Sequence, residues 1–129
     1  MPKPIKQSRP WGNELWIGCD PVMVKILTVT PHQSLSLQSH KLRDESWFVI
    51  SGYGEVQLDG KSVSLTPQST VTIPRTITHR LSASDQPLVV LELSYGKFDQ
   101  DDITRIKDDY GRTAPATPDK PHWSENYQN

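Results

Sequence analysis

Short strand-like segments separated by turn residues fill the middle of the chain and constrain its fold more than any other feature. The segment 22–29, VMVKILTV, is rich in β-branched residues, and LVVLEL at 88–93 has the same character. EVQLDGKSVSL at 55–65 has the pattern of a hairpin, because valine and leucine alternate on both sides of Asp59-Gly60, a strong two-residue turn signal. Many short strands with almost no helical periodicity predict an all-β antiparallel sandwich or barrel.

Composition narrows the class of protein. A chain of 129 residues fits one domain with a buried core, and its net charge of −1 provides no basic field for nucleic acid or an anionic membrane. The single cysteine, Cys19, excludes an internal disulfide framework and is expected to be a small, partly buried apolar residue. The first residues lack the apolar run of a signal peptide, and no stretch is long enough to span a bilayer, so a cytoplasmic location is expected.

Proline and polar residues divide the chain into three parts. Residues 1–13 hold three prolines and little apolar content, so residues 1–21 are expected to begin the chain as an extended arm rather than a strand, with Trp11 and Trp16 packing it on the barrel. Residues 22–112 are the folded domain with a C-terminal motif. Residues 113–129 carry three prolines and many polar side chains, which predicts a polar tail.

Five polar residues between positions 36 and 79 lie in or next to strand-like segments. In LSLQSH, Ser36, Gln38 and His40 alternate with leucine and therefore share one face of a strand. Glu45 follows five residues after His40, and His79 begins another strand-like run in IPRTITHRL. Each residue taken alone is more often an ordinary surface or core residue than a ligand. Together, two imidazoles, a carboxylate and an amide oxygen predict a divalent-metal site with open positions.

These spacings also resemble a known family. The pattern Q-x-H-x4-E-x6-G, followed by I-P-x4-H, is similar to the two metal-binding motifs of the cupin superfamily. More narrowly, the chain resembles the cupin domain of type II mannose-6-phosphate isomerases, which is often fused to GDP-mannose pyrophosphorylase. The motifs are RPWG at 9–12, VKILTV at 24–29, LSLQSHKLRDESW at 35–47, IPRTITHRL at 73–81 and DDITRIKDDYGR at 101–112. The resemblance implies a double-stranded β-helix, or jelly roll, and a homodimer.

The resemblance further implies the metal, its ligands and the reaction. The ligands would be Gln38, His40, Glu45 and His79. Zinc is the first expectation, with manganese, iron, cobalt and nickel also compatible, because no thiolate is present to select zinc. The implied reaction is the metal-dependent isomerisation of mannose 6-phosphate and fructose 6-phosphate through an enediol. The alternatives are a non-catalytic metal- and sugar-binding module, or another metal-dependent cupin enzyme such as a dioxygenase.

The remaining assignments concern the substrate, a sugar phosphate. By resemblance, Arg105 would supply a guanidinium to the negative charge that builds up during catalysis. A phosphate also needs a cationic clamp, for which Lys25, Arg43 and Arg112 are candidates, with Ser36 on the inward face. The general base is left open among His32, Asp102, Lys25 and a metal-bound hydroxide. The chain lacks a glycine-rich nucleotidyltransferase region, so a separate nucleotidyltransferase of the same pathway is a candidate partner.

Two local features of the chain are expected to differ from a regular β-barrel. Family members usually carry glycine where this chain has His32, Gln68 and Thr76, so altered local turns are expected there. Ile103 and Ile106 are three residues apart, which predicts a short helical turn near residues 101–108.

Overall fold

The computed structural model describes residues 3–19 and 21–113, and within these ranges it contains eleven β-strands and no helix. It accordingly contains no helix long and apolar enough to cross a membrane among those residues. The strands are β1 Ile5–Arg9, β2 Gly12–Cys19, β3 Val22–Val29, β4 Leu37–Ser39, β5 Arg43–Ser51, β6 Gly54–Leu58, β7 Lys61–Leu65, β8 Thr70–Ile73, β9 His79–Ala83, β10 Leu88–Gly96 and β11 Thr104–Lys107.

The strands form two antiparallel sheets that face each other, which confirms the predicted all-β fold. One sheet has the order β1-β2-β3-β10-β5-β8, and the other has the order β11-β4-β9-β6-β7. Side chains alternate strictly along β3, where every second residue is buried. The core between the sheets is mainly aliphatic and includes Val29, Val49, Val56, Leu81 and Leu88, all completely buried. Each such side chain stabilises the fold by about 1.5–3 kcal/mol.

The predicted hairpin is formed by β6 and β7. Leu58 pairs with Lys61, and the two connecting residues Asp59 and Gly60 both have positive φ angles, +50° and +79°. These signs are those of a type I′ turn, which matches the right-handed twist of the two strands.

The arm predicted for residues 1–21 is instead a hairpin. Strands β1 and β2 pair from Ile5↔Trp16 to Arg9↔Gly12 and form one edge of the six-stranded sheet. The prolines suggested an arm, but Pro4 precedes β1 and Pro10 lies in the turn, so neither interrupts a ladder. The expectation that Trp11 and Trp16 are structural agrees with their burial.

The short helical turn predicted near residues 101–108 is wrong. Residues 104–107 form β11, whose Arg105 pairs with Gln38 of β4. Spacing alone suggested a helix, but Ile103 and Ile106 are also β-branched, and the edge of β4 offers unpaired backbone groups that a strand can satisfy. The polar tail predicted for residues 113–129 lies, beyond Thr113, outside the described residues.

Three turn residues keep a left-handed backbone without being glycine. His32, Gln68 and Thr76 have φ angles of +62°, +74° and +74°. The altered turns expected at these positions are therefore left-handed turns with a side chain added. This conformation costs an ordinary residue about 1–2 kcal/mol, and Thr76 is the most strained because it is β-branched.

Replacing Thr76 with glycine is expected to raise the free energy of unfolding by about 1 kcal/mol, since the relieved strain exceeds the added chain entropy. The backbone N–H of Thr76, which donates to the carbonyl oxygen of His40, is retained in this variant. The matched control is Thr72→Gly in the extended strand β8, where the same change should destabilise. Urea unfolding of both variants measures the difference, and a Thr76→Gly variant weaker than wild type would contradict the assigned strain.

Candidate metal centre

The predicted ligands are carried by both sheets and meet in the space between them. Gln38 on β4 is the direct partner of His79 on β9, and Arg105 on β11 is the partner of Gln38. These three residues therefore form one row across the five-stranded sheet. Glu45 comes from β5 of the opposite sheet, and His40 directly follows β4. They line a cavity of about 950 Å³ between the sheets.

Three of the four predicted ligands converge on a common centre. His40 Nε2 lies 3.4 Å from Glu45 Oε2, and His79 Nε2 lies 3.6 Å from Glu45 Oε1. One ligand atom from each residue lies within 4.8 Å of the others, and all three side chains are buried. Two imidazole nitrogens and one carboxylate at this separation could hold a divalent cation.

Backbone carbonyl groups fix the orientation of both imidazole rings. His40 Nδ1 lies 2.6 Å from the carbonyl oxygen of Asp102, and His79 Nδ1 lies 3.0 Å from that of Ile77. A carbonyl oxygen can only accept, so each Nδ1 carries the proton and donates it. The Nε2 atom of each ring then carries its lone pair on the side of Glu45, which is the usual arrangement of a metal-bound histidine. In His40 this lone pair accepts a hydrogen bond from Arg43 Nη2.

The electrostatics favour the protonation states that a metal requires. Burial, followed by the charge of Arg43, lowers the pKa of His40 to about 4, and burial also lowers the pKa of His79. Burial alone would raise the pKa of Glu45, but Arg43 and the two imidazoles lower it to about 2. Neutral imidazoles and an ionised carboxylate need not release protons before binding a cation at neutral pH.

A buried carboxylate oxygen without a hydrogen-bond partner provides a further test of whether this group fits a metal. Glu45 Oε1 is completely buried and has no hydrogen-bond partner among the described residues. A buried carboxylate oxygen without a donor is costly, and a cation between the three residues would satisfy it. The residues therefore fit a divalent metal, while the mixed nitrogen and oxygen donors do not select one.

Gln38 and Arg43 flank this group. The amide nitrogen of Gln38 donates to the carbonyl oxygen of Ser36 at 3.3 Å, and the side chain is buried. Its assignment as a fourth ligand stays a prediction. Arg43 donates from Nε to Glu45 Oε2 at 3.1 Å and from Nη2 to His40 Nε2 at 3.3 Å. Arg43 therefore contacts two ligands directly, and its charge is compensated by Glu45.

The six-stranded sheet supplies the opposite wall of the cavity. Trp16, Lys25, Glu92 and Trp47 are consecutive cross-strand partners on β2, β3, β10 and β5. Lys25 Nζ lies 4.0 Å from the centre of the Trp16 ring and 3.2 Å from Glu14 Oε1. As expected from its inward position, buried Lys25 has charged partners, and these leave it a compensated cation rather than a free anion-binding group.

Sequence reasoning missed Glu92, which lines the cavity in the middle of this wall. Its carboxyl oxygen Oε1 accepts a hydrogen bond from Trp47 Nε1 at 3.1 Å. Burial and the charge of Glu45 raise the pKa of Glu92 to about 8, so it holds a proton at neutral pH. The available signal was a single charged residue at a buried position of the apolar segment LVVLEL.

Three guanidinium groups line the side of the cavity near β11, but they differ in their partners. Arg112 is paired with Asp108 through two hydrogen bonds of 2.9 Å, and Arg9 is paired with Glu14. Arg105 Nε is buried without a hydrogen-bond partner among the described residues. Burial, followed by the like charge of Arg112, lowers the pKa of Arg105. Among the described residues, Arg105 is therefore the member of this group whose Nε donor has no partner.

Comparison with known proteins identifies relatives of the whole domain. Residues 3–108 match the family model described as mannose-6-phosphate isomerase C-terminal. Alginate biosynthesis protein AlgA of Pseudomonas aeruginosa is 40% identical over 109 residues, which are 82% of this chain and 23% of that protein. A mannose-1-phosphate guanylyltransferase of Klebsiella pneumoniae is 39% identical over 112 residues, which are 81% of this chain and 23% of that protein. The chain thus spans less than a quarter of the length of these curated relatives.

A solved structure of similar fold is a sugar phosphate isomerase of the cupin superfamily from Silicibacter pomeroyi. It superposes with a TM-score of 0.61 at 19% identity, over 66% of this chain and 59% of that one. This likeness confirms the predicted cupin fold.

The names of the relatives correct the predicted function. Mannose-6-phosphate isomerisation as the function of this chain is wrong, because the matching proteins are named for guanylyl transfer or for alginate and xanthan biosynthesis.

Proposed function

Since the chain belongs to the mannose-6-phosphate isomerase C-terminal family, we propose that it is the cupin domain of a protein related to mannose-1-phosphate guanylyltransferases. Its cavity is a metal-dependent site that binds and processes a phosphorylated sugar. The observation that carries the proposal is that two complementary features line one cavity. One is the buried group His40, Glu45 and His79, and the other is the guanidinium of Arg105, whose buried Nε has no hydrogen-bond partner among the described residues.

The metal end of the cavity suits the oxygen atoms of a sugar. His40, Glu45 and His79 would hold the cation, with Gln38 as the candidate fourth ligand. A divalent ion bound there would polarise a carbonyl or hydroxyl oxygen of the ligand. Glu92, which holds a proton and accepts from Trp47, and the charged head of Lys25 offer further hydrogen bonds to hydroxyl groups along the opposite wall.

The other end suits a phosphate group. Of the four cationic residues predicted to act on the substrate, Lys25, Arg43 and Arg112 each have a carboxylate partner, whereas Arg105 Nε has none among the described residues. A dianionic phosphate would satisfy this buried donor and relieve the repulsion between Arg105 and Arg112. Arg105 is therefore proposed as an anion-binding residue, a role different from the stabilisation of a catalytic intermediate expected from sequence.

Elemental analysis of the purified protein, followed by titration of the metal-loaded form with hexose phosphates, tests the proposal. The panel should include mannose 1-phosphate, mannose 6-phosphate and the corresponding unphosphorylated sugars. Metal-dependent binding of a phosphorylated sugar, with much weaker binding of its unphosphorylated form, is the expected result. Tight sugar binding without metal, or metal binding without any preference for phosphate, would contradict it.

The Arg105→Ala variant is expected to bind a hexose phosphate about 10- to 100-fold more weakly, the equivalent of one or two charge-assisted hydrogen bonds. Metal affinity should not change, since Arg105 does not contact the metal group. The matched control is Arg75→Ala, which removes an exposed guanidinium paired with Asp44. Isothermal titration of metal-loaded protein measures both affinities, and equal loss for phosphorylated and unphosphorylated sugar would remove the phosphate assignment.

Three further expectations stay proposals. They are the homodimer, the cytoplasmic location and the association with a nucleotidyltransferase of the same pathway.

A further inference from the structure

Asp102 accepts hydrogen bonds from three consecutive residues, 40–42, which form the loop that joins β4 to β5. Its carbonyl oxygen accepts from His40 Nδ1 at 2.6 Å. Its carboxylate accepts from the backbone nitrogen of Lys41 and from that of Leu42, both at 2.8 Å. One residue, about sixty positions away along the chain, therefore fixes both the ring of a candidate ligand and the backbone that follows it.

The loop held by Asp102 connects two metal-binding positions. His40 stands at its beginning and Glu45 lies three positions into β5, so a shift of the loop changes the separation of two ligand groups. Residues 97–99, which directly follow β10, make two more contacts with residues 42 and 43. Lys97 donates its backbone N–H to the carbonyl oxygen of Leu42, and Arg43 Nη1 donates to the carbonyl oxygen of Asp99.

Asp102 is itself held in place. Its backbone nitrogen donates to the carbonyl oxygen of Asp99 at 3.0 Å, and two residues later β11 begins its pairing with β4. The contact to the loop thus depends on docking of the segment 99–107 at the edge of the five-stranded sheet. Lys41 and Leu42 are exposed, so without Asp102 their N–H groups would turn to water and the loop would lose its anchor.

We infer that Asp102 is a positioning residue of the metal centre: through His40 and residues 41–42 it makes the affinity for metal depend on the docked C-terminal segment. The inference rests on the proposed function for the presence of a metal. Its effect on the His40 ring can be observed without one. Partners of metal-binding histidines typically change metal affinity by about 10- to 100-fold.

The experiment compares Asp102→Ala and Asp102→Asn in the full chain. Affinity for Zn²⁺ is measured by competition with a chromophoric chelator, and about 10- to 100-fold loss is expected for Asp102→Ala. Asp102→Asn should lose less, because its single amide oxygen can still accept from one of the two backbone nitrogens. Asp109→Asn is the matched control, since this exposed aspartate, two residues after β11, pairs with Arg80 and is not in the candidate ligand group.

A second measurement separates positioning from a general loss of structure. Nitrogen-15 NMR of the metal-free protein should find the His40 proton on Nδ1 in wild type and distributed between both nitrogens in Asp102→Ala, while His79 keeps its Nδ1 proton. Unchanged affinity together with an unchanged His40 tautomer would overturn the inference. A wild-type protein that binds no divalent metal would instead remove the proposed function, and the tautomer comparison would still decide the role of Asp102.

Discussion

The Glu45→Gln variant is expected to lose more than about 100-fold in affinity for divalent metal, since partners that only orient a ligand already account for 10- to 100-fold. Glu45 is the one anionic member of the candidate ligand group, and both imidazoles face its oxygens. An amide has the same shape and can still accept from Arg43 Nε, so the fold should remain. Competition with a chromophoric chelator measures the affinity.

A matched control is available in the same cavity. Glu14 is also a buried glutamate, but its ion-pair partners are Lys25 and Arg9, and it is not a member of the group formed by His40, Glu45 and His79. Burial would raise the pKa of Glu14, and these two cations lower it. Glu14→Gln should therefore keep a metal affinity close to that of wild type. Equal affinities for wild type and Glu45→Gln would show that the cation, if bound, is held elsewhere.

Acidification from pH 6.5 to pH 4 is expected to destabilise the metal-free protein through His40 by about 3 kcal/mol. In the folded state the pKa of His40 is about 4, below the 6.5 of the unfolded chain, because of burial and Arg43. Between these values the unfolded chain binds a proton that the folded protein does not. The contribution is fully present above pH 6.5 and is lost as the pH falls, and His79, whose pKa is also lowered, acts in the same direction.

The measurement is the difference in unfolding free energy between wild type and His40→Gln, obtained by urea titration at a series of pH values from 7 to 4 with a chelator present. The raised pKa of Glu92 has the opposite effect, since it favours the folded state as the pH falls from about 8. Glu92 is present in both proteins, so its contribution cancels in the difference. A difference between wild type and His40→Gln that does not change with pH would contradict the prediction.

The pattern of side chains along each strand was sufficient to predict the central part of the fold. Alternation with a period of two is a local property, and it correctly indicated the all-β class and the hairpin at Asp59-Gly60. The spacing of His40, Glu45 and His79 predicted a shared centre, and the structure brings these three residues together. Such predictions succeed because each depends on which face of a strand a residue occupies.

Edge strands could not be predicted in the same way. Residues 5–19 and 104–107 were expected to be an arm and a helical turn, and both are strands. Their conformation depends on the free edge of a neighbouring strand in the folded barrel. The β1–β2 hairpin pairs with the edge of β3, and β11 pairs with the edge of β4. The spacing of residues within a segment does not indicate which strand will lie beside it in the fold.

The sequence by itself determined an antiparallel barrel and the chemical types of its candidate ligands, since both follow from short-range alternation and motif spacing. Only the tertiary structure decided which charges are compensated. It paired Lys25 with Glu14, placed Glu92 beside Trp47, joined Asp102 to the loop after His40, and left Arg105 Nε without a described partner. The physical reason is that electrostatic and hydrogen-bond energies depend on distances between strands far apart in the chain, and these distances exist only when the two sheets face each other.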